Sequence, residues 1–280
     1  MTNSITHETA TTQFVEADGV RYAYRRFGGP SDTPLVFCHR FRGTVDDWDP
    51  AVTNGFARER DVILFDNAGV GGSSGVIPNN ARAMADHLLA FLSGLGASKA
   101  DLLGFSMGGY VVQFAALQSP RSFRRLILAG TGPGGGEKYV PGGSDIRPVA
   151  SRPVLGLEEQ LFLFFTASEE SRAAGKAYWL RLKSRVGEPD PPVPEQGIKA
   201  QLQALVAWGE GDSAYNRLAE IKQPVLVANG SNDVMVPTIN SFTMAQLLPD
   251  AQLIVYPDSG HGFLFQYPDL FVDHALRFLR

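Results

Sequence analysis

Asp101-Leu102-Leu103-Gly104-Phe105-Ser106-Met107-Gly108-Gly109-Tyr110-Val111-Val112-Gln113 is the stretch on which the reading of the whole chain turns. An apolar run enters G-x-S-x-G directly, and a helical pattern follows with no loop between them. That order describes a nucleophile elbow, in which a serine sits on a strained strand-to-helix turn and small flanking residues let the helix approach the strand. The turn lifts the serine hydroxyl clear of the sheet. It also sets the next amide, that of Met107, at a helix N-terminus, where it can hold an oxyanion. The plainer alternative for Ser106 is a helix-capping serine.

The bare pattern recurs, so context has to choose. Gly71-Gly72-Ser73-Ser74-Gly75 also fits it, but the preceding apolar run ends near Phe65 and Pro78 prevents an immediate helix. Ser73 and Ser74 therefore read as loop or capping residues. Gly130-Thr131-Gly132-Pro133-Gly134-Gly135 matches a dinucleotide-binding pattern after a strand. It opens no amphipathic helix and sits mid-chain, so nucleotide binding is not expected.

Moving outward, residues 14–27 alternate around Asp18-Gly19, the signature of a β-hairpin. Leu35–Cys38, Val62–Phe65, Leu102–Phe105, Leu126–Ala129, Val225–Ala228 and Leu253–Tyr256 are unbroken apolar runs, as in parallel strands covered on both faces. Helical stripes at 81–95 and 270–279 lie among them. The expectation is an α/β fold: a mostly parallel twisted sheet with an antiparallel N-terminal hairpin and helices on both faces. From Gly132 to about Ala219 no strand pattern appears. Helical stretches are expected there at 157–167, 169–185 and 195–208, separated by Gly- and Pro-rich segments. The domain reading is a polar, disordered tail at 1–12, a core at 13–132 and 220–280, and a helical cap at 133–219 inserted in that core.

Five histidines compete to serve as base. His7 lies in the polar tail, His39 follows an early strand, and His87 and His274 fall within helices. His261 stands in a glycine-flanked loop directly after the last strand, at the carboxyl edge where open α/β sheets bind ligands. The matching carboxylate is Asp233, which leaves the strand 225–228 and precedes a helix starting near Pro237. It would orient the imidazole and stabilise the imidazolium without taking the proton. Asp258 reads as a turn-shaping residue and Asp66 as a loop-structuring one.

Taken together, these motifs resemble the α/β-hydrolase family over nearly the full length of the chain. Ser106…Asp233…His261 is that family's order, with a long interval before the acid that leaves room for a cap. Asp66-Asn67-Ala68-Gly69-Val70-Gly71-Gly72-Ser73 is similar to its D-x-x-G-x-G-x-S turn. The resemblance implies Phe41 and Met107 as the two oxyanion amides, by alignment on His39-Arg40-Phe41. Here Arg40 replaces a common glycine, which raises the question of local backbone conformation. Either Arg40 pairs with a nearby acid such as Asp46, Asp47 or Asp49, or Arg40 or Arg42 reaches a polar or anionic substrate group. Members of similar subgroups are cofactor-free haloperoxidases or esterases, which implies perhydrolysis as a side reaction.

Composition narrows the partners. Hydrophobic residues are 44%, charged residues 19%, and the formal net charge is −4, so nucleic acid and anionic membrane are not expected. No signal peptide or apolar run of spanning length is visible, and the protein reads as cytoplasmic. The single cysteine, Cys38, excludes an intrachain disulfide and reads as a buried apolar residue. No metal or organic cofactor is expected.

The reading is a serine hydrolase of small to medium, largely apolar esters or lactones, acting through an acyl-enzyme. Arg40, Phe105, Phe164, Phe165, Trp179 and Phe263 are the candidate substrate-binding residues. C–C bond hydrolysis by the same serine remains open, as does a non-enzymatic signalling receptor that retains all three residues. The partner is the small-molecule substrate, with a homodimer left open.

Overall fold

The computed structural model describes residues 5–152 and 154–280. Eight strands form one sheet: β1 (Gln13–Ala17), β2 (Val20–Gly28), β3 (Leu35–Cys38), β4 (Asp61–Phe65), β5 (Ala100–Phe105), β6 (Phe123–Ala129), β7 (Val225–Gly230) and β8 (Ala251–Tyr256), in the order β1-β2-β4-β3-β5-β6-β7-β8. β1 and β2 run antiparallel, β2 pairs antiparallel with β4, and all other pairings are parallel. Asp18 and Gly19 both take positive φ, 48° and 76°, as a two-residue hairpin turn demands.

Ten α-helices are found among the described residues: α1 (Pro50–Ala57), α2 (Ala81–Gly94), α3 (Met107–Gln118), α4 (Ile146–Ala150), α5 (Leu157–Phe164), α6 (Glu169–Arg181), α7 (Glu195–Glu210), α8 (Thr238–Leu247), α9 (Phe263–Gln266) and α10 (Pro268–Leu279). The strand alternation sorts the core into two layers. Val36, Ile63, Leu102, Leu128 and Val227 join α2, α3 and α8 on one face. Phe37, Leu64, Leu103, Ile127 and Leu226 join α1 and α10 on the other. Because consecutive residues of one strand feed opposite layers, the central strands have no polar face. That is why they stand out in the sequence.

Between β6 and β7 the chain runs through α4 to α7, which lie over the carboxyl edge of the sheet. α7 is seated by Trp208, stacked on Tyr110 of α3 with ring centroids 4.1 Å apart. Such an aromatic pair adds about 0.5–1.5 kcal/mol beyond area burial. α6 is tied to the core by Arg181, which holds Asp49 through both carboxylate oxygens at 2.8 and 2.6 Å. α5 stops at Phe164, short of the expected 167, because Phe165 turns extended. α6 likewise ends at Arg181 instead of 185, while α7 runs two residues further, to a C-terminal Gly211 at φ 114°.

The N-terminus departs from expectation. Residues 5–12 are not a disordered tail. The His7 ring is buried edge-on against Phe27 and bonded to the Thr53 hydroxyl at 3.0 Å, and Glu8 accepts from Asn54. Arg185 clamps the carbonyls of Glu8 and Ala10. Polar composition signalled disorder, yet the polar groups of Thr6, His7, Glu8, Thr9 and Thr12 all have partners here. The remainder of the expected tail, residues 1–4, and Pro153 within the expected cap lie outside the described residues. No helix among the described residues is long and apolar enough to cross a membrane.

Candidate active site

Ser106 joins β5 to α3 with no intervening residue, at φ 56° and ψ −120°. A non-glycine residue there is strained by about 1–3 kcal/mol and persists only where the surroundings force it. The forcing contacts are visible. The Ser106 amide is held by the Ala129 carbonyl at 2.9 Å, and Gly108 packs so tightly that a Cβ would stand 2.0 Å from the Cys38 carbonyl oxygen. Ser106 makes no side-chain capping bond to α3, which removes the plainer reading of this serine. The Met107 amide opens the helix and has no carbonyl one turn earlier to bond to.

Asp233 leaves β7 and His261 leaves β8. The His261 Nδ1 and Asp233 Oδ2 are 2.7 Å apart, with both side chains fully buried. Asp233 Oδ1 accepts from the amides of Met235 and Val236, each at 2.9 Å, which fixes the carboxylate plane. A carboxylate at Nδ1 keeps the proton on that nitrogen and leaves the Nε2 lone pair available. Nε2 is buried without a hydrogen-bond partner. Ser106 and His261 are not hydrogen-bonded to each other, a looseness common before substrate binds. The imidazole nevertheless lies beside the elbow: its ring is 4.9 Å from that of Phe105 and 5.5 Å from that of Phe164.

Gly130, at φ 53°, runs under this imidazole. A Cβ on it would stand 3.3 Å from Cε1 and Nδ1 of His261 and 3.0 Å from the Phe105 ring. The first glycine of the dinucleotide-like run thus makes room for the histidine. The run opens no helix, since α4 begins only at Ile146.

The other candidates are occupied elsewhere. His39 Nδ1 accepts from the Arg40 amide, its ring lies 4.3 Å from that of Trp48, and burial holds its pKa well below the ordinary range. His87 and His274 bond the hydroxyls of Tyr22 and Tyr256. Asp258 accepts from Thr166 and Ser168 at the start of α6. Asp66 accepts from the Val45 amide, and its burial pushes its pKa well above the carboxylate range. Ser73 accepts from the Ala23 amide while donating to the Asp66 carbonyl, and Ser74 accepts from the Arg21 amide, so both tie loop to hairpin. Cys38 is buried, its thiol pushed up to about 12 by desolvation.

Ser106 opens into a cavity of about 230 Å³, just under the ~300–1,000 Å³ of typical ligand sites. Phe41, Tyr110, Ile146, Leu205, Met235 and Val236 form much of its wall. Phe41 makes no amide hydrogen bond to any described residue. This lining differs from the expected substrate-binding set. Phe105 and Phe263 point into the core layer shared with α10, Phe263 stacking on Tyr256. Phe164 and Phe165 are buried, the latter against Tyr178. Trp179 is half-buried under Lys183. None of the five lines the cavity that holds Ser106.

Arg40 is buried too, donating to the Phe41 carbonyl at 3.0 Å and to Asp47 at 3.2 Å. Arg40 does not line the Ser106 cavity, and of the three acids weighed Asp47 is its partner, since Asp46 pairs with Arg25 and Asp49 with Arg181. The left-handed residue of this loop is Arg42, at φ 61°, and not Arg40. Arg42 reaches the carbonyls of Ala150 and Arg152 at the end of α4.

A family model described as alpha/beta hydrolase fold matches residues 33–268. The chain belongs to the α/β-hydrolase fold family. Within it, the chain is similar to the solved structure of an alpha/beta hydrolase fold protein from Chitinophaga pinensis, at 42% identity and TM-score 0.92 over 98% of this chain and 99% of that one. It is 28% identical, over the full length of both chains, to a 2-hydroxy-6-oxononadienedioate/2-hydroxy-6-oxononatrienedioate hydrolase from Burkholderia vietnamiensis. A solved structure titled Est816, an N-acyl homoserine lactone degrading enzyme, is 26% identical, with TM-score 0.70 over 95% of this chain and all of that one. The last two of these α/β-hydrolase relatives are named for different substrates, so the choice among substrates rests on the site itself.

Sequence reasoning missed the cavity wall, α4 above all. A one-turn apolar stripe, Ile146, Val149 and Ala150, was its only signal, and Pro148 masked it.

Proposed function

We propose that this α/β-hydrolase cleaves small to medium, largely apolar carboxylic esters or lactones through a Ser106 acyl-enzyme. The carrying observation is Ser106 held at φ 56° between strand and helix, facing a cavity, with the buried His261–Asp233 pair beside it. His261 Nε2 takes the Ser106 proton as Oγ attacks the carbonyl, while Asp233 stabilises the resulting imidazolium. The Met107 and Phe41 amides receive the oxyanion. His261 then protonates the leaving alcohol, and later activates the water that releases the acid. For a lactone the leaving alcohol stays tethered, and a hydroxy acid is the product.

Cavity chemistry favours esters and lactones over C–C cleavage. The relative from Burkholderia vietnamiensis is named for a dioate, a substrate with two carboxylates, whereas one cationic side chain, Arg147, is found in this wall. Est816, named for a lactone substrate, adds support to the lactone reading.

Purified protein should turn over p-nitrophenyl butanoate and hexanoate, or an N-acyl lactone, many times per Ser106, and Ser106→Ala should not. Repeated turnover would also separate an enzyme from a receptor. Rapid cleavage of a vinylogous 1,5-diketone acid with no ester or lactone turnover would overturn the assignment in favour of C–C hydrolysis.

A further inference from the structure

Arg147 is the one charged side chain in the wall of the Ser106 cavity; the other lining residues are apolar or carry only a hydroxyl. It is exposed, and its guanidinium has no ion pair or hydrogen bond to any described residue. The neighbouring cations differ. Arg40 is fixed to Asp47, Arg42 to two carbonyls, Arg152 to Glu159, and Arg172 to Glu158.

The element carrying Arg147 is anchored at both ends. Before α4, the Gly143 amide donates to the carbonyl of Val234, next to Asp233, and the Gly143 carbonyl accepts from Ile146. After it, Arg42 holds the Ala150 carbonyl at 3.2 Å. Ile146 and Ala150 face the cavity, so the Arg147 stem can lie along apolar wall with its head at the mouth. A cation carried at the rim of an apolar cavity is one of the few polar contacts by which such pockets orient a ligand.

We infer that Arg147 selects substrates whose apolar arm ends in a single carboxylate or equivalent anion. The assignment rests on the esterase and lactonase reading, and it names the substrate class within it. Apolar wall holds the arm, Ser106 meets the carbonyl at one end, and the Arg147 guanidinium pairs with the anion at the other.

The test compares p-nitrophenyl monoesters of pentanedioic to decanedioic acid with the same esters capped as methyl esters. At one chain length, the wild type should prefer the free carboxylate by roughly fivefold in kcat/KM, carried by KM, the upper range of an exposed ion pair. That ratio should fall to near one in Arg147→Gln, recover partly in Arg147→Lys, and shrink with added salt. Equilibrium binding of monomethyl and dimethyl octanedioate to Ser106→Ala, with and without Arg147→Gln, gives the same ratio without any chemistry. A preference for carboxylate in binding without ester turnover would leave Arg147 in place and remove the reaction. No preference in the wild type, or an equal effect of Arg147→Gln on charged and capped ligands, would overturn the assignment of Arg147 while the ester reading stands on its own turnover.

Discussion

The Arg40 guanidinium donates at 3.0 Å to the carbonyl of Phe41, its own neighbour, and reaches Asp47 with its other nitrogen. These bonds tie Arg40 into the loop that carries the Phe41 amide, the proposed second oxyanion donor. Arg40→Ala should lower kcat alike for capped and carboxylate-bearing esters, by about 10²-fold if one oxyanion donor is misplaced. Steady-state kinetics on the two ester series checks this. A loss confined to KM for the anionic series would return Arg40 to substrate binding.

Gly130 supports His261 by having no side chain. In Gly130→Ala the new methyl would meet the imidazole and the Phe105 ring, at a backbone angle that costs an alanine about 1–2 kcal/mol. We expect a folded protein with a lower melting temperature and kcat reduced at least tenfold, since displacements near 1 Å can cost 10²-fold. Wild-type kcat in this variant would show that the imidazole does not rest on Gly130.

Two carboxylates flank the base in sequence or space, and only one touches it. Asp233→Asn should cut kcat by roughly 10³–10⁴-fold, because the amide would stabilise the wrong imidazole tautomer. Asp258→Asn weakens the links to Thr166 and Ser168 and should change kcat by less than about threefold, with a larger effect on the melting temperature. A reversed ranking would identify Asp258 as the functional partner.

Acid should release the N-terminal segment through His7. Burial lowers its pKa from 6.5 to about 4, with Arg25 acting in the same direction. The native state therefore binds fewer protons than the unfolded state between these values. The stability it contributes is fully present above about pH 6.5 and is lost as pH falls towards 4. Between pH 7 and 5 the wild type should lose about 2 kcal/mol more than His7→Gln in urea unfolding. Parallel stability–pH curves for the two proteins would contradict the assignment.

The fold was legible because buried parallel strands carry no polar face: Val36-Phe37 and Leu102-Leu103 serve both core layers at once. The elbow was legible because a strand, a serine and a helix with no loop between them leave few backbone solutions. The cavity wall was not. Phe105 adjoins Ser106 in sequence, but strand alternation turns it to the opposite layer, and adjacency misled. Arg147 sits on a five-residue helix containing Pro148, too short for periodicity to register. Polar residues at 5–12 read as disorder because their partners, Asn54 and Arg185, are remote in sequence.

The central claim is that Ser106 is the nucleophile, and the most direct measurement is the site of covalent labelling. A fluorophosphonate should add once per chain, abolish ester turnover in proportion to occupancy, and map by peptide mass spectrometry to Ser106. Labelling should vanish in Ser106→Ala. An adduct on Ser73 or Ser74, or full ester turnover in Ser106→Ala, would contradict it.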